Sequence, residues 1–267
     1  MNKVYQRLYE DYIMSSRMDE YENIIKTAVE YNYIHLTIYE FYNLVKNNEL
    51  DKNKKYFIHR HDIDTKDLRV VKEMFEIEKK YKVKSTYYFR LNTYDIKLME
   101  EIHKYGSEVS YHYEEISQYC KDKRIFNKDL IFKNFQEIEE QFVKNFLHLQ
   151  EQLSFNFNTV SSHGDHINRK LNIRNVELLK NNLQLREKLN IKCEAYDNII
   201  LNNIESYLSD TSFRYFEKKI NPIQNIINGD NVILFLTHPR QWKSNIFINF
   251  KEDVNRLYEE IIYRIYK

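Results

Sequence analysis

The sequence predicts an α/β fold in which mainly parallel strands form a barrel-like domain. Short apolar or β-branched runs alternate with amphipathic segments of about 10 to 20 residues, and about six or seven such units occur, which is the pattern of βαβ folds. No linker-like, low-complexity or repeated segment divides the 267 residues. We therefore predict a single domain over residues 1–267, with residues 1–50 as an N-terminal helical extension packed on it.

Predicted helices and strands alternate most regularly in the first half of the chain. Apolar residues recur at helical spacing in 18–33, where Tyr21, Ile24 and Ala28 share one face. Gly106 ends a helix, because a left-handed cap needs no side chain. The helices predicted here are 18–33, 38–46, 68–81 and 94–105, and the strands are 56–65, 84–91 and 108–113.

The second half has longer helical runs and shorter strands. The segment 231–236 is continuously apolar, which is typical of a strand buried on both faces. The other strands predicted are 158–162 and 192–196, and 205–216 is interpreted as irregular or strand. The helices predicted are 128–152, 176–189, a short one from Pro222 to Gly229, and 252–266.

Charge and cysteine content exclude several classes of function. Lysine and arginine number 41 against 40 acidic residues, so the net charge of +1 favours neither nucleic acid nor an anionic membrane. Cys120 and Cys193 are too few for a disulfide framework or a cysteine zinc site. No apolar run is long enough for a membrane span, and the N-terminus has no apolar signal core. We expect a cytoplasmic protein, and the oligomeric state stays open.

Polar side chains gather where the predicted strands end. Asp62 and Asp64 point the same way, because side chains alternate along a strand. Two adjacent carboxylates are tolerated if a cation neutralises them or if one is protonated. The alternative is a charged strand end that lies in water. Further strand ends carry Arg90, His112, His163 and His238. The carboxyl ends of parallel strands in an α/β barrel meet at one face, so we expect these groups on one rim.

This set of groups suits hydrolysis assisted by a divalent metal ion. A carboxylate with two imidazoles is a good ligand set for Zn²⁺, or a similar ion, that keeps a position open for water. Such an ion lowers the pKa of the water. A second carboxylate can then take a proton from the water, and a histidine can protonate the leaving group.

Three motifs together resemble the polysaccharide deacetylase superfamily, the barrels similar to nodulation protein B. They are the His-Asp-Ile-Asp run at 61–64, the segment 106–112, and Leu-Thr-His-Pro at 236–239. The resemblance covers about 56–242 and is greatest to a His-Asp-x-Asp branch associated with surface-polysaccharide biosynthesis. It implies a distorted (β/α)7 barrel that removes N- or O-acetyl groups from sugars with a divalent metal ion.

The resemblance also implies roles for single residues. Asp62 would be the general base and Asp64 the metal-binding carboxylate, although the residue between them leaves open that they exchange roles. His112 matches the first histidine of the H-[ST]-x-x-H metal motif of the superfamily. The second histidine is missing, since Ile116 stands there, and His163 is the substitute ligand we predict.

Other matches concern the acid and the substrate groove. His238 matches the late histidine that acts as general acid, and His166 is a second, weaker candidate for the missing ligand. Arg90, Asp210 and Trp242 are predicted to line the groove, with packing or salt bridges as equal alternatives. The predicted substrate is an acylated saccharide. The alternatives are a catalytically inactive deacetylase-like barrel that binds a glycan or a pathway partner, and a metal hydrolase for another amide or ester.

Overall fold

A computed structural model describes residues 3–211 and 220–265. The strands are Ile34–Leu36 (β1), Tyr56–Ile63 (β2), Thr86–Phe89 (β3), Glu108–Tyr113 (β4), Thr159–Ser162 (β5), Cys193–Glu194 (β6), Ser206–Ser209 (β7) and Val232–Thr237 (β8). The helices are Lys3–Tyr12 (α1), Met18–Glu30 (α2), Ile38–Lys46 (α3), Leu68–Tyr81 (α4), Ile96–Tyr105 (α5), Glu115–Lys123 (α6), Lys128–Lys133 (α7), Phe135–Gln150 (α8), His166–Leu171 (α9), Leu183–Lys188 (α10), Asn198–Leu201 (α11), Pro222–Asn228 (α12) and Ile246–Ile265 (α13).

The strands form one sheet in the order β6-β5-β4-β3-β2-β8-β7, and β1 pairs with the start of β2. Every pairing is parallel. The prediction of an α/β fold with mainly parallel strands is thus confirmed. Among the described helices, none is both long and apolar enough to cross a membrane.

The sheet is strongly curled into a distorted half-barrel. Arg60 on β2 donates a hydrogen bond to Ser161 on β5, although two strands lie between them. In a flat sheet with strands about 4.8 Å apart, these positions would be separated by roughly 14 Å. The edge strands β6 and β7 share no backbone pairing within the described residues. Tyr196, just after β6, accepts a hydrogen bond from Nη2 of Arg60 on β2 over 3.1 Å.

The interior of the half-barrel changes from apolar to polar along β2. Tyr56 and Ile58 point inward and pack with α3 and α11 in a buried apolar cluster, which closes the amino ends of the strands. Arg60 and Asp62 lie further along the same face and are also buried. The amino end of the half-barrel is therefore filled by apolar side chains, and the polar side chains lie towards the carboxyl end.

Some predicted elements were wrong, and local side-chain hydrogen bonds explain two of them. The predicted helix 128–152 is broken into α7 and α8 at Asn134, whose side chain donates to the backbone of Leu130 over 2.7 Å. The predicted helix 176–189 is a short 3-10 turn, Asn175–Leu178, followed by α10, because Asn182 caps α10 through its side chain.

The remaining differences concern short or terminal elements. The short elements β1, α6, α9 and α11 are additional to the prediction. The C-terminal helix begins at Ile246, six residues earlier than predicted. Of the segment 205–216, Ser206–Ser209 is a strand, and residues 212–216 lie outside the described residues.

Candidate metal centre

Asp64 stands at the centre of the polar rim formed by the strand ends. Oδ1 of Asp64 lies 3.5 Å from Nε2 of His112, and Oδ2 lies 3.6 Å from Nε2 of His163 and 3.9 Å from Nε2 of His238. These histidines come from the ends of β4, β5 and β8. All three distances exceed a normal hydrogen bond. The side chains converge without bonding one another.

The donor set around Asp64 fits a divalent cation. Oδ1 of Asp64 is buried and has no hydrogen-bond partner, a costly state for a carboxylate oxygen. Ligands that share one ion through bonds of about 2.0–2.2 Å lie some 3–4 Å from one another. Each of the two imidazoles has this spacing from Asp64, His112 from Oδ1 and His163 from Oδ2. An ion bound by Asp64, His112 and His163 would satisfy the orphaned oxygen.

His112 directs an unprotonated Nε2 towards the carboxylate of Asp64. Its Nδ1 lies 3.0 Å from the backbone carbonyl of Ser161, which can only accept, so Nδ1 carries the hydrogen. Burial lowers the pKa of His112 to about 4, although Asp62 and Asp64 oppose the shift. The ring is therefore neutral at physiological pH, in the tautomer that a metal ligand requires.

His163 is oriented by an ion pair behind it. Its Nδ1 lies 2.9 Å from Oε2 of Glu114, and Arg90 donates to both oxygens of Glu114 at 2.7 Å. Burial would raise the pKa of Glu114, but the charge of Arg90 outweighs it and holds that pKa well below its ordinary value. An ionised Glu114 accepts the Nδ1 hydrogen, which leaves Nε2 of His163 directed at Asp64.

Asp62 is held as a carboxylate by its neighbour on the same strand. Arg60 donates through Nε and Nη2 to the two oxygens of Asp62, over 2.8 and 2.7 Å. Burial would raise the pKa of Asp62, but the guanidinium lowers it far below the ordinary value. Nε2 of His112 lies 3.4 Å from Asp62 as well, so Asp62 borders the same space as Asp64.

His238 is held as a cation by Asp210. Its Nδ1 donates to Oδ1 of Asp210 over 2.6 Å, and Oδ2 of Asp210 accepts from the backbone of His238 and from Nε1 of Trp242. Burial alone would lower the pKa of His238, but the charge and hydrogen bond of Asp210 outweigh it and raise that pKa to about 9. A protonated Nε2 therefore faces Asp64 at neutral pH.

We expect Asp210→Asn to lower the pKa of His238 from about 9 towards or below its ordinary 6.5, because burial then acts without the opposing charge. NMR titration of the His238 ring in chelator-treated protein measures this shift. The wild-type pKa is raised on folding, so its stabilising contribution is complete below pH 6.5 and is lost as the pH rises through 9. Asp129→Asn, at an exposed position on α7, should change neither quantity. Unchanged titration in Asp210→Asn would contradict the assignment.

Two predicted groove residues lie behind the rim rather than on an open surface. Trp242 is fully buried and packs edge-on against Tyr21 and Phe235. Asp210 is also fully buried and bonds both His238 and Trp242. The surroundings of Trp242 and Asp210 favour a role in packing and hydrogen bonding. Their contact with substrate stays a prediction.

His166 and Ile116, the other positions considered for the second histidine of the metal motif, lie outside the group around Asp64. Nδ1 of His166 lies 3.0 Å from Oδ1 of Asp165, at the start of α9. Ile116 is fully buried among the apolar side chains around α6 and α8. Among the described residues, His163 is thus the histidine after β4 that adjoins both Asp64 and His112.

Sequence reasoning missed Arg60 and Glu114. Arg60 lies two residues before Asp62, and Glu114 lies two residues after His112, so in each pair the side chains share a face of the strand. A charge two residues from a strand-end group is thus the sequence signal for both residues.

A second polar cluster lies on the opposite face of β2. His59, His61 and Glu78 place ligand atoms within 4.8 Å of one another and could hold an ion by distance alone. However, Nε2 of His61 lies 2.7 Å from Glu78, which is the length of a direct hydrogen bond. Four side chains donate to Glu78, namely Tyr21, Ser85, Tyr87 and His61. We interpret this cluster as a hydrogen-bond network centred on Glu78, in which Nε2 of His59 is buried without a partner.

Fold and rim together define a parallel α/β half-barrel with a carboxylate–histidine centre at the carboxyl ends of its strands. The sequence matches no protein-family model and no curated protein. It is similar in structure to a mutant of BA3943, a CE4 family pseudoenzyme, with restored enzymatic activity, at 13% identity and a TM-score of 0.43. A second structure of a BA3943 mutant, a CE4 family pseudoenzyme, aligns at 16% identity and a TM-score of 0.41.

Each alignment covers 77% of this chain, but only 65% and 64%, under two thirds, of the other chain.

Proposed function

We propose that this protein is a metal-dependent hydrolase that removes an acetyl or other N-acyl group from a sugar of a surface polysaccharide or its precursor. The observation that carries the proposal is the Asp64 carboxylate, whose buried Oδ1 has no hydrogen-bond partner and whose two oxygens lie 3.5–3.9 Å from three imidazoles. The acylated-saccharide substrate is supported by the three sequence motifs that resemble polysaccharide deacetylases.

Asp64, His112 and His163 would hold the ion, with Zn²⁺ as the leading candidate because the set is one carboxylate and two imidazoles. When bound, such an ion supplies Lewis acidity, which lowers the pKa of a water molecule and polarises an acyl oxygen. Ser161 and Glu114 fix the tautomers of the two histidines through their Nδ1 atoms.

Asp62 and His238 are suited to move the protons. Asp62 is kept ionised by Arg60, so it can accept a proton from a water that attacks the acyl carbon. His238 is kept protonated by Asp210, so its Nε2 can donate to the leaving nitrogen. Asp62 lies 3.4 Å from Nε2 of His112, and His238 lies 3.9 Å from Asp64, which supports an acid and a base acting on the same reacting centre.

Acetate release from N-acetylated saccharides by the zinc-loaded protein tests this function. We expect turnover that a chelator abolishes and zinc restores. His163→Ala should lose metal and activity, whereas His166→Ala, which changes a histidine three residues away, should keep both. Equal loss in both variants, or turnover that is indifferent to the chelator, would contradict the ligand set.

A catalytically inactive barrel that binds a glycan is the second candidate. The observation that favours it is Ile116, a buried apolar residue where the superfamily motif has its second histidine. Loss of a ligand weakens metal affinity, so activity depends on whether His163 fills that place. Saccharide binding by the zinc-loaded protein without any turnover would support this candidate, and chelator-sensitive turnover would exclude it.

A further inference from the structure

The C-terminal helix α13 turns its apolar side chains to solvent. Phe247 is 87% exposed, Phe250 62% and Leu257 57%. The exposed apolar residues of α13, called here the α13 stripe, are Ile246, Phe247, Phe250, Val254, Leu257, Tyr258, Ile261 and Ile265. At about 100° per residue they fall within roughly 120° of the helix circumference, so they form one continuous face.

The opposite face of α13 is fixed to the body of the protein by polar contacts. Arg240 donates to Asp11, Glu252 and Asp253 over 3.0–3.1 Å. Tyr12 donates to Asp253 over 2.6 Å, and Asn249 donates to the backbone of Asp11 over 2.6 Å. A surface helix normally buries its apolar side and exposes its charges. On α13 the larger apolar face is exposed, while the polar contacts and the buried ring of Tyr263 fix the other face to the body of the protein.

The stripe is larger than the surface of a monomer usually allows. With roughly 150–250 Å² for a whole aromatic side chain, the exposed fractions of its eight residues amount to about 900 Å². The largest apolar patch on a typical monomer is about 300–600 Å². A stable protein interface buries about 800 Å² on each partner. The α13 stripe thus has the area of one side of a dimer interface.

We propose that a second copy of this chain covers the α13 stripe, with the two α13 helices packed antiparallel across a two-fold axis. A face without a central charge can pair with itself and leave no charge buried. An axis between residues 255 and 256 sets Phe250 against Ile261 and Val254 against Leu257. Helix α13 spans about 30 Å at 1.5 Å per residue, long enough for several such layers.

The charges on α13 favour a protein partner over a lipid surface. The helix has three basic residues, Lys251, Arg256 and Arg264, against four acidic ones, Glu252, Asp253, Glu259 and Glu260. Helices that lie on membranes are rich in lysine and arginine. A net negative helix lacks this attraction to anionic lipids.

Sedimentation equilibrium of the full-length protein tests the proposal. We expect a mass twice that of the 33.0 kDa chain at micromolar concentration. Phe250→Glu and Leu257→Glu should each weaken self-association by roughly 100-fold or more, because a carboxylate would be buried at the interface. Leu183→Glu, at a position 67% exposed on α10, is the matched control and should remain dimeric.

Circular dichroism and unfolding midpoints should match between the variants and the wild type, because both altered side chains are solvent-exposed in the monomer. A wild-type protein that stays monomeric throughout overturns the proposal, as does a dimer that persists in both glutamate variants. Binding of the monomer through α13 to vesicles of phosphatidylcholine and phosphatidylglycerol also overturns it.

Discussion

Replacing Asp64 with asparagine is expected to remove bound zinc and to lower deacetylation by more than roughly 100-fold, since even residues that only support a ligand cost 10–100-fold. The amide keeps the size of the side chain but loses the charge that three imidazoles surround at 3.5–3.9 Å. Metal content measured by elemental analysis, together with acetate release, gives both quantities. Loss of activity should accompany loss of metal.

Asp129→Asn provides the matched control, because the same chemical change is made on an exposed helical residue. We expect it to retain metal and activity. Asp62→Asn separates the two proposed roles, because it should keep the ion and lose turnover. If Asp62→Asn releases the metal while Asp64→Asn keeps it, the two aspartates have exchanged roles. Full zinc content in all three variants would contradict the site.

Glu78→Ala is expected to give the largest loss of stability, about 3–5 kcal/mol in the free energy of unfolding, because it leaves several buried donors without an acceptor. Glu78 is fully buried and accepts from Tyr21, Ser85, Tyr87 and His61. These residues join α2, β2, β3 and the turn before β3. Urea unfolding, followed by circular dichroism, measures the change.

Glu76→Ala, two residues earlier on α4, is the control for this prediction. Glu76 is exposed and pairs with Lys79 at the surface, a contact worth at most about 1 kcal/mol. We expect its unfolding midpoint to stay close to the wild-type value. Should the two variants unfold at the same urea concentration, the network on the outer face of β2 contributes little to stability.

The strongest sequence patterns predicted their elements residue by residue. The helix 68–81 and the strand 108–113 have the predicted bounds, and Gly106 and Gly229 adopt the left-handed conformation expected of helix caps. Long periodic segments succeed because burial dictates their pattern. Short elements such as β6 and α11 depend on tertiary contacts and leave little trace in the sequence.

The candidate site was only partly accessible to sequence reasoning. Strand ends place Asp64, His112, His163 and His238 on one rim, which follows from parallel topology alone. The distances between these side chains depend on the curl of the sheet, which the hydrophobic periodicity of the sequence does not encode. The pairing of Glu114 with His163 joins residues 49 positions apart, so only the fold could reveal it. The catalytic and metal-binding roles stay predictions.

The seam between β6 and β7 adjoins Arg60, the residue that holds the proposed base. Tyr196, at the β6 edge of the seam, accepts from Nη2 of Arg60, the same nitrogen that donates to Asp62. The guanidinium also lies 4.5 Å from the centre of the Tyr196 ring. Local opening at an edge held by few contacts requires little free energy. Because one guanidinium nitrogen contacts both Tyr196 at the edge and Asp62 at the site, we expect displacement of the β6 edge to change the alignment of the carboxylate.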